Sequence, residues 1–190
     1  MNYKLPNILT LSRVAIIPLL ICLFYIPGPV SDLLMAFLFI IACLTDFFDG
    51  YFARTLGQTS AFGRFLDPVA DKLLITSTLF MLVGVHRIEG ISLIPAVIIL
   101  CREILVSGLR EFLATLKIGL PVSQLAKWKT AIQMISLIGL LIGNSGYLSI
   151  FGISFGNLGL LFLWVAGLLT LITGYTYLKE GLRYFKEHDF

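Results

Sequence analysis

Four aspartates fall between residues 46 and 71 of an otherwise strongly apolar chain: Asp46 and Asp49 in "LTDFFDGYFART", and Asp67 and Asp71 in "GRFLDPVADKLL". Asp46 and Asp49 stand at i and i+3, and Asp67 and Asp71 at i and i+4. On helices these spacings set the members of each pair about 60° and about 40° apart around the axis, so each pair points from one face. Two such helices joined by a short turn would bring four carboxylates together. Carboxylates that close disfavour one another's ionisation unless a cation lies between them. Each would also cost ~2.5–3.5 kcal/mol near a bilayer centre. A hard divalent cation answers both problems, because Mg²⁺ takes carboxylate oxygens and usually shares its sphere with substrate phosphates. Two such ions can clamp the two ends of a phosphoryl displacement. Taken singly, each aspartate reads more simply as a solvated helix end, and Arg54, Arg64 and Lys72 offer plain salt-bridge partners. The set of four at helical spacing argues for a site.

The elements that must carry these residues are membrane spans. The 190-residue chain is 58% hydrophobic and 13% charged, with a mean hydropathy of +0.95, whereas a soluble domain is about a quarter charged. Breaker clusters divide it into six apolar runs near 7–26, 32–54, 61–86, 91–114, 123–144 and 155–178, each near the ~20 residues that cross a bilayer. Backbone in lipid must satisfy its own hydrogen bonds, so the expected fold is all-α: one integral membrane domain, 1–190, of six transmembrane helices. "PGPVSD" separates the first two runs, with Ser31 or Asp32 placed to cap the second helix. No small-residue cleavage site follows the first run, which is expected to stay as a span. Cys22, Cys43 and Cys101 all fall in apolar segments without metal-type spacing and read as plain thiols.

Six spans put both termini on one side. Of the 14 Lys and Arg, only Arg87 lies in a loop of the opposite side. The positive-inside rule then makes the termini and the aspartate turn cytoplasmic, in a multi-pass protein of the inner (cytoplasmic) membrane.

The pattern Asp46-x2-Asp49-Gly50-x2-Ala53-Arg54-x8-Gly63-x3-Asp67-x3-Asp71 matches, at every fixed position, the signature of the CDP-alcohol phosphatidyltransferase family, which the chain resembles. The six-helix plan is similar too. The resemblance implies two divalent ions, Mg²⁺ or Mn²⁺, on Asp46, Asp49, Asp67 and Asp71, with Asp71 also the base for the acceptor hydroxyl. It further implies that Gly50 and Ala53 let a CDP headgroup approach the backbone, that Arg54 offsets phosphate charge, and that Gly63 permits a close turn. A homodimer is implied as well. Gly139 and Gly143 form a GxxxG in the fifth run, weaker grounds for a dimer face.

The acceptor must be read elsewhere. Arg102 and Arg110 sit inside an otherwise apolar run, where an ionisable residue is a functional hypothesis by default. Glu103 and Glu111 are their neighbours and offer structural pairing instead. A basic pocket of Arg110, Lys127 and Lys129 beside the metals would suit an acceptor that carries a phosphate. Two stretches, "LPNILTLSR" and "KWKT", resemble the members of the family that use glycerol 3-phosphate. In the first, Asn7, Thr10 and Arg13 recur every three residues and form a polar face that could edge the donor site. The expectation is phosphatidyl transfer from CDP-diacylglycerol to glycerol 3-phosphate, with membrane lipid around the chain and no nucleic acid involved. The alternatives are an inositol phosphate or serine acceptor within the family, or, in another class, a divalent-cation transporter. A transport path needs polar groups through the whole depth, and the outer halves of these runs are nearly all apolar.

Overall fold

Each apolar run becomes an α-helix in the computed structural model: α1 (Leu5–Leu23), α2 (Pro29–Thr55), α3 (Ala61–Gly84), α4 (Leu93–Thr115), α5 (Gln124–Ile142) and α6 (Phe155–Glu187). The structure describes residues 5–55, 61–116, 123–143, 149–150 and 153–187, with the side chains at 5–8, 47, 49–55, 61–62, 64, 149–150 and 182–187 outside the description. One feature departs from an all-helical plan. Ser149–Ile150 and Ile153–Ser154 form a minimal antiparallel pair between α5 and α6, with Ile150 in register with Ile153.

Four helical segments are long and apolar enough to cross a membrane: Pro29–Asp46, Gly90–Thr115, Gln124–Ile142 and Phe155–Gly181. α3 falls short of that standard because its first half is charged, whereas Leu9–Leu23 of α1 is a shorter apolar segment. α1 carries Arg13, and the first half of α3 carries Arg64, Asp67, Asp71 and Lys72. These two helices pack on each other, and α1 packs on α2 as well. Six helices are present among the described residues, and α1, α2 and α3 carry the aspartates and their partners.

The caps expected at Ser31 and Asp32 are not formed. α2 begins at Pro29, whose fixed φ suits a first helical position. Ser31 Oγ donates instead to the Leu23 carbonyl at the end of α1, at 2.8 Å. Asp32 pairs with Arg87, whose Nη1 also donates to the carbonyls of Leu140 at 3.2 Å and Leu141 at 2.6 Å. One arginine from the α3–α4 connection thus fastens the start of α2 to the end of α5, at the pole opposite the aspartates.

Between helices in lipid, association rests on close van der Waals packing rather than on escape from water. Small residues accordingly mark the contacts: Ala36, Ala42, Ala96 and Ala166 are buried among Leu20, Phe39, Leu82 and Leu137. The α5–α6 contact is the most extensive. A Cβ on Gly139 would meet the Phe155 carbonyl oxygen at 2.9 Å and the Gly159 Cα at 3.1 Å. Ser136 Oγ donates to the Gly159 carbonyl at 2.8 Å beside them. Gly139 is therefore used up inside the chain, and the GxxxG is not a free face. Large apolar side chains such as Leu19, Phe37, Phe80, Ile104 and Leu168 point outward, a surface that suits acyl chains rather than water. The three cysteines are free thiols, two of them exposed on this outer surface.

Candidate active site

α1, α2 and α3 meet through polar side chains at one end of the bundle. Thr10 and Arg13 stand at i and i+3 on α1, one above the other. Thr10 Oγ1 donates to Asp67 Oδ1 on α3 at 2.5 Å. Arg13 Nη1 pairs with Asp46 Oδ1 on α2 at 2.8 Å, with the arginine side chain fully buried and the aspartate 48% exposed. A buried guanidinium is tolerable only when paired, so α1 supplies charge compensation for the carboxylates. Asp46 lies within electrostatic reach of both Asp67 and Asp71.

Asp49, Gly50, Ala53 and Arg54 lie on α2 with side chains outside the described residues, as does Asn7 on α1. Gly63 is buried in the first turn of α3, a helical residue rather than part of the turn itself. Pro68 follows Asp67 inside α3 and removes one main-chain hydrogen bond between the two aspartates' turns. Among the described residues, no three His, Cys, Asp or Glu side chains gather closely enough to cage an ion. The donor chemistry nevertheless fits a hard divalent cation, since Asp46, Asp67 and Asp71 offer only carboxylate oxygens.

A second cluster adjoins the first. Asp71 and Lys72 of α3 line an open cleft of about 180 Å³ together with Arg102, Glu103, Ser107 and Arg110 of α4. Glu103 accepts from Arg102 Nη1 at 3.3 Å and from Lys129 Nζ of α5. Lys129 is 2% exposed, so its charge is held entirely by protein. Lys127, two positions earlier on α5, points to the opposite side and is exposed. The three basic residues expected around the acceptor therefore separate: Arg110 lines the cleft, Lys129 backs it through Glu103, and Lys127 faces away.

Tyr177 of α6 was not anticipated. Its buried ring lies 5.4 Å from the Arg102 guanidinium and 5.5 Å from that of Arg110, and its hydroxyl accepts from the Ser123 backbone N–H at 3.3 Å. The signal available in the sequence was Gly174-x2-Tyr177-x3-Gly181, a tyrosine with glycines one turn away on either side.

Comparison with known proteins supplies the family. Residues 3–172 match the family model described as CDP-alcohol phosphatidyltransferase. A protein of Rickettsia bellii (strain RML369-C) named CDP-diacylglycerol–glycerol-3-phosphate 3-phosphatidyltransferase is 48% identical over 182 residues, covering 96% of this chain and 97% of that one. Proteins of the same name from Haemophilus influenzae, at 39% over 94% of each chain, and Cereibacter sphaeroides, at 37% over 98% and 99%, are similar along their whole length. With a family match spanning most of its length, this six-helix chain belongs to the CDP-alcohol phosphatidyltransferase family.

Proposed function

We propose that this chain transfers the phosphatidyl group of CDP-diacylglycerol to glycerol 3-phosphate, as the names of its relatives describe for them, with phosphatidylglycerophosphate and CMP as products. The observation that carries the reading is the cleft that Asp71 shares with Arg102 and Arg110. It places a carboxylate beside two guanidinium groups, the pairing needed to deprotonate an alcohol whose other end is a phosphate. At about 180 Å³ it falls below the ~300 Å³ at which drug-sized pockets begin, which suits a three-carbon acceptor better than a nucleotide.

Asp71 takes the proton from the free primary hydroxyl of glycerol 3-phosphate. That oxygen attacks the phosphorus next to diacylglycerol, the bond from this same phosphorus to the bridging oxygen of the pyrophosphate breaks, and CMP departs with that oxygen and the electron pair. Arg110 and Arg102 hold the acceptor phosphate, while Lys129 supports them through Glu103. Thr10 and Arg13 fix Asp67 and Asp46 in orientation. Bound divalent cations, Mg²⁺ or Mn²⁺ on Asp46, Asp49, Asp67 and Asp71, would neutralise charge on the CDP pyrophosphate. Such catalysis is mainly positioning and electrostatics, as phosphoryl transfer generally requires. The charge asymmetry supports a cytoplasmic site and cytoplasmic termini, because of the 14 Lys and Arg in the sequence only Arg87 lies in a loop of the opposite side. A homodimer rests on the family resemblance, and chemical cross-linking in native membranes tests it.

The test of function is direct. Purified protein with CDP-diacylglycerol, Mg²⁺ and labelled glycerol 3-phosphate releases CMP and forms a labelled lipid. Turnover with serine or inositol phosphate but not with glycerol 3-phosphate would overturn the acceptor assignment, and chelation that leaves the rate unchanged would overturn metal dependence.

A further inference from the structure

Arg102 and Arg110 are eight positions apart on α4, more than two turns, so their side chains do not converge without help. The help comes from α6. Tyr177, 2% exposed, projects between them with both guanidinium groups at cation–π distance of its ring. The approach of the two helices is built for this contact. A Cβ on Gly174 would lie 3.1 Å from Arg102 Cγ, and one on Gly181 would lie 2.7 Å from Leu109 Cδ2. Glycines one turn before and one turn after Tyr177 thus let α4 close onto α6 at that level. Val106 of α4 and Ala126 of α5 pack around the ring in a small cluster of their own. The hydroxyl is tied to the main chain of Ser123, whose own Oγ accepts from Ala126 N at 3.2 Å and caps α5.

We propose that Tyr177 is a positioning residue that holds Arg102 and Arg110 as a two-guanidinium fork for the phosphate of the acceptor. The ring does not reach the substrate. It orders two long side chains beforehand, removing part of the entropic cost that acceptor binding would otherwise meet. Two arginines that share one aromatic ring are held apart at fixed positions, and an incoming dianion completes their neutralisation. This proposal rests on the reading of the acceptor as a phosphate ester.

The experiment varies glycerol 3-phosphate at saturating CDP-diacylglycerol with the full-length enzyme in lipid–detergent micelles. Loss of two cation–π contacts in Tyr177→Leu is expected to raise KM for glycerol 3-phosphate roughly tenfold, with KM for CDP-diacylglycerol within about twofold of wild type. Tyr177→Phe keeps the ring and recovers most of the acceptor affinity. Replacing that phenylalanine by its mono-, di- and trifluorinated analogues weakens the ring's negative face at nearly constant size. A stepwise rise of acceptor KM along that series is the signature of the fork, and a purely structural tyrosine would not produce it. A flat fluorination series, or equal rises in both KM values, overturns the proposal even if Tyr177→Leu does not fold. Stabilisation of the protein by inorganic phosphate gives a readout independent of turnover. If it falls along the same series the fork stands, and if it is unchanged the fork is wrong. Absence of wild-type turnover with glycerol 3-phosphate would instead count against the proposed reaction.

Discussion

Replacing Glu103 with glutamine probes the polar cluster behind the cleft most sharply, because Glu103 serves two cations at once. It accepts from Lys129, which is 2% exposed, and from Arg102 Nη1 at 3.3 Å. Removing one partner of a buried ion pair costs ~3–5 kcal/mol when the survivor stays buried. The Glu103 side chain is 19% exposed, so some water reaches it. Glutamine also keeps one acceptor oxygen, which brings the expected loss to about 2–3 kcal/mol. For a chain of this size that corresponds to a fall of roughly 4–12 °C in the midpoint of thermal unfolding. Lys129→Met alone leaves Glu103 paired with Arg102 and costs less. The double variant leaves no uncompensated lysine and is expected to recover more than about 1 kcal/mol relative to the sum of the single variants. The measurement is thermal unfolding in detergent across this four-member cycle, with acceptor KM followed in parallel. Additive effects would refute the coupling and leave the contact without energetic weight.

Further expectations follow from the same geometry. Asp71→Asn should abolish CMP release while leaving the unfolding midpoint near that of wild type; a rate within about tenfold of wild type would remove Asp71 as the base. Arg110→Ala should raise KM for the acceptor by roughly tenfold with little change in KM for the donor, and an unchanged acceptor KM would return Arg110 to a structural role. Gly139→Leu would drive side-chain atoms into Phe155 and Gly159, so a loss of at least about 2 kcal/mol is expected, read as a lowered midpoint; a neutral result would contradict the close α5–α6 approach. Arg87→Met removes the fastening of α2 to α5 and should cost about 2–4 kcal/mol of stability. Because Arg87 lies at the pole opposite the aspartates, kcat at low temperature should be retained.

The helices were legible because each apolar run ends in a breaker, and their bounds agree within a few residues except at the C-terminal end of α6. That helix continues to Glu187 as a charged extension beyond its apolar span. The aspartate signature was legible because its members recur at helical spacing on two helices consecutive in the sequence, while the pairing of Asp46 with Arg13 and of Asp67 with Thr10 across to α1 was not. What the sequence concealed were partners across distance. Lys127 and Lys129 look alike in "KWKT", but two positions on a helix turn one inward and the other outward. Asp32 looks like a cap until Arg87, far along the chain, takes it as an ion-pair partner. A GxxxG shows that something will come close without showing what, and here Gly159 of the next helix takes that place. Tyr177 is one of seven tyrosines, and only the fold shows which two arginines it serves.

The Arg13–Asp46 pair bears on how the chain enters the membrane. Arg13 lies near the middle of α1, whose 19 residues give little surplus apolar length. On insertion scales an unpaired arginine at a helix centre costs ~2.5–3.5 kcal/mol, comparable to the gain from five or more leucines. A first segment with that handicap is a poor candidate for solitary partition from the translocation channel. The second segment follows within a few residues and carries the aspartate that matches the arginine. Their release into lipid as a paired hairpin removes the cost before it is incurred. The same ion pair that orients an acidic residue in the mature site would then also set the order in which the polypeptide leaves the insertion machinery.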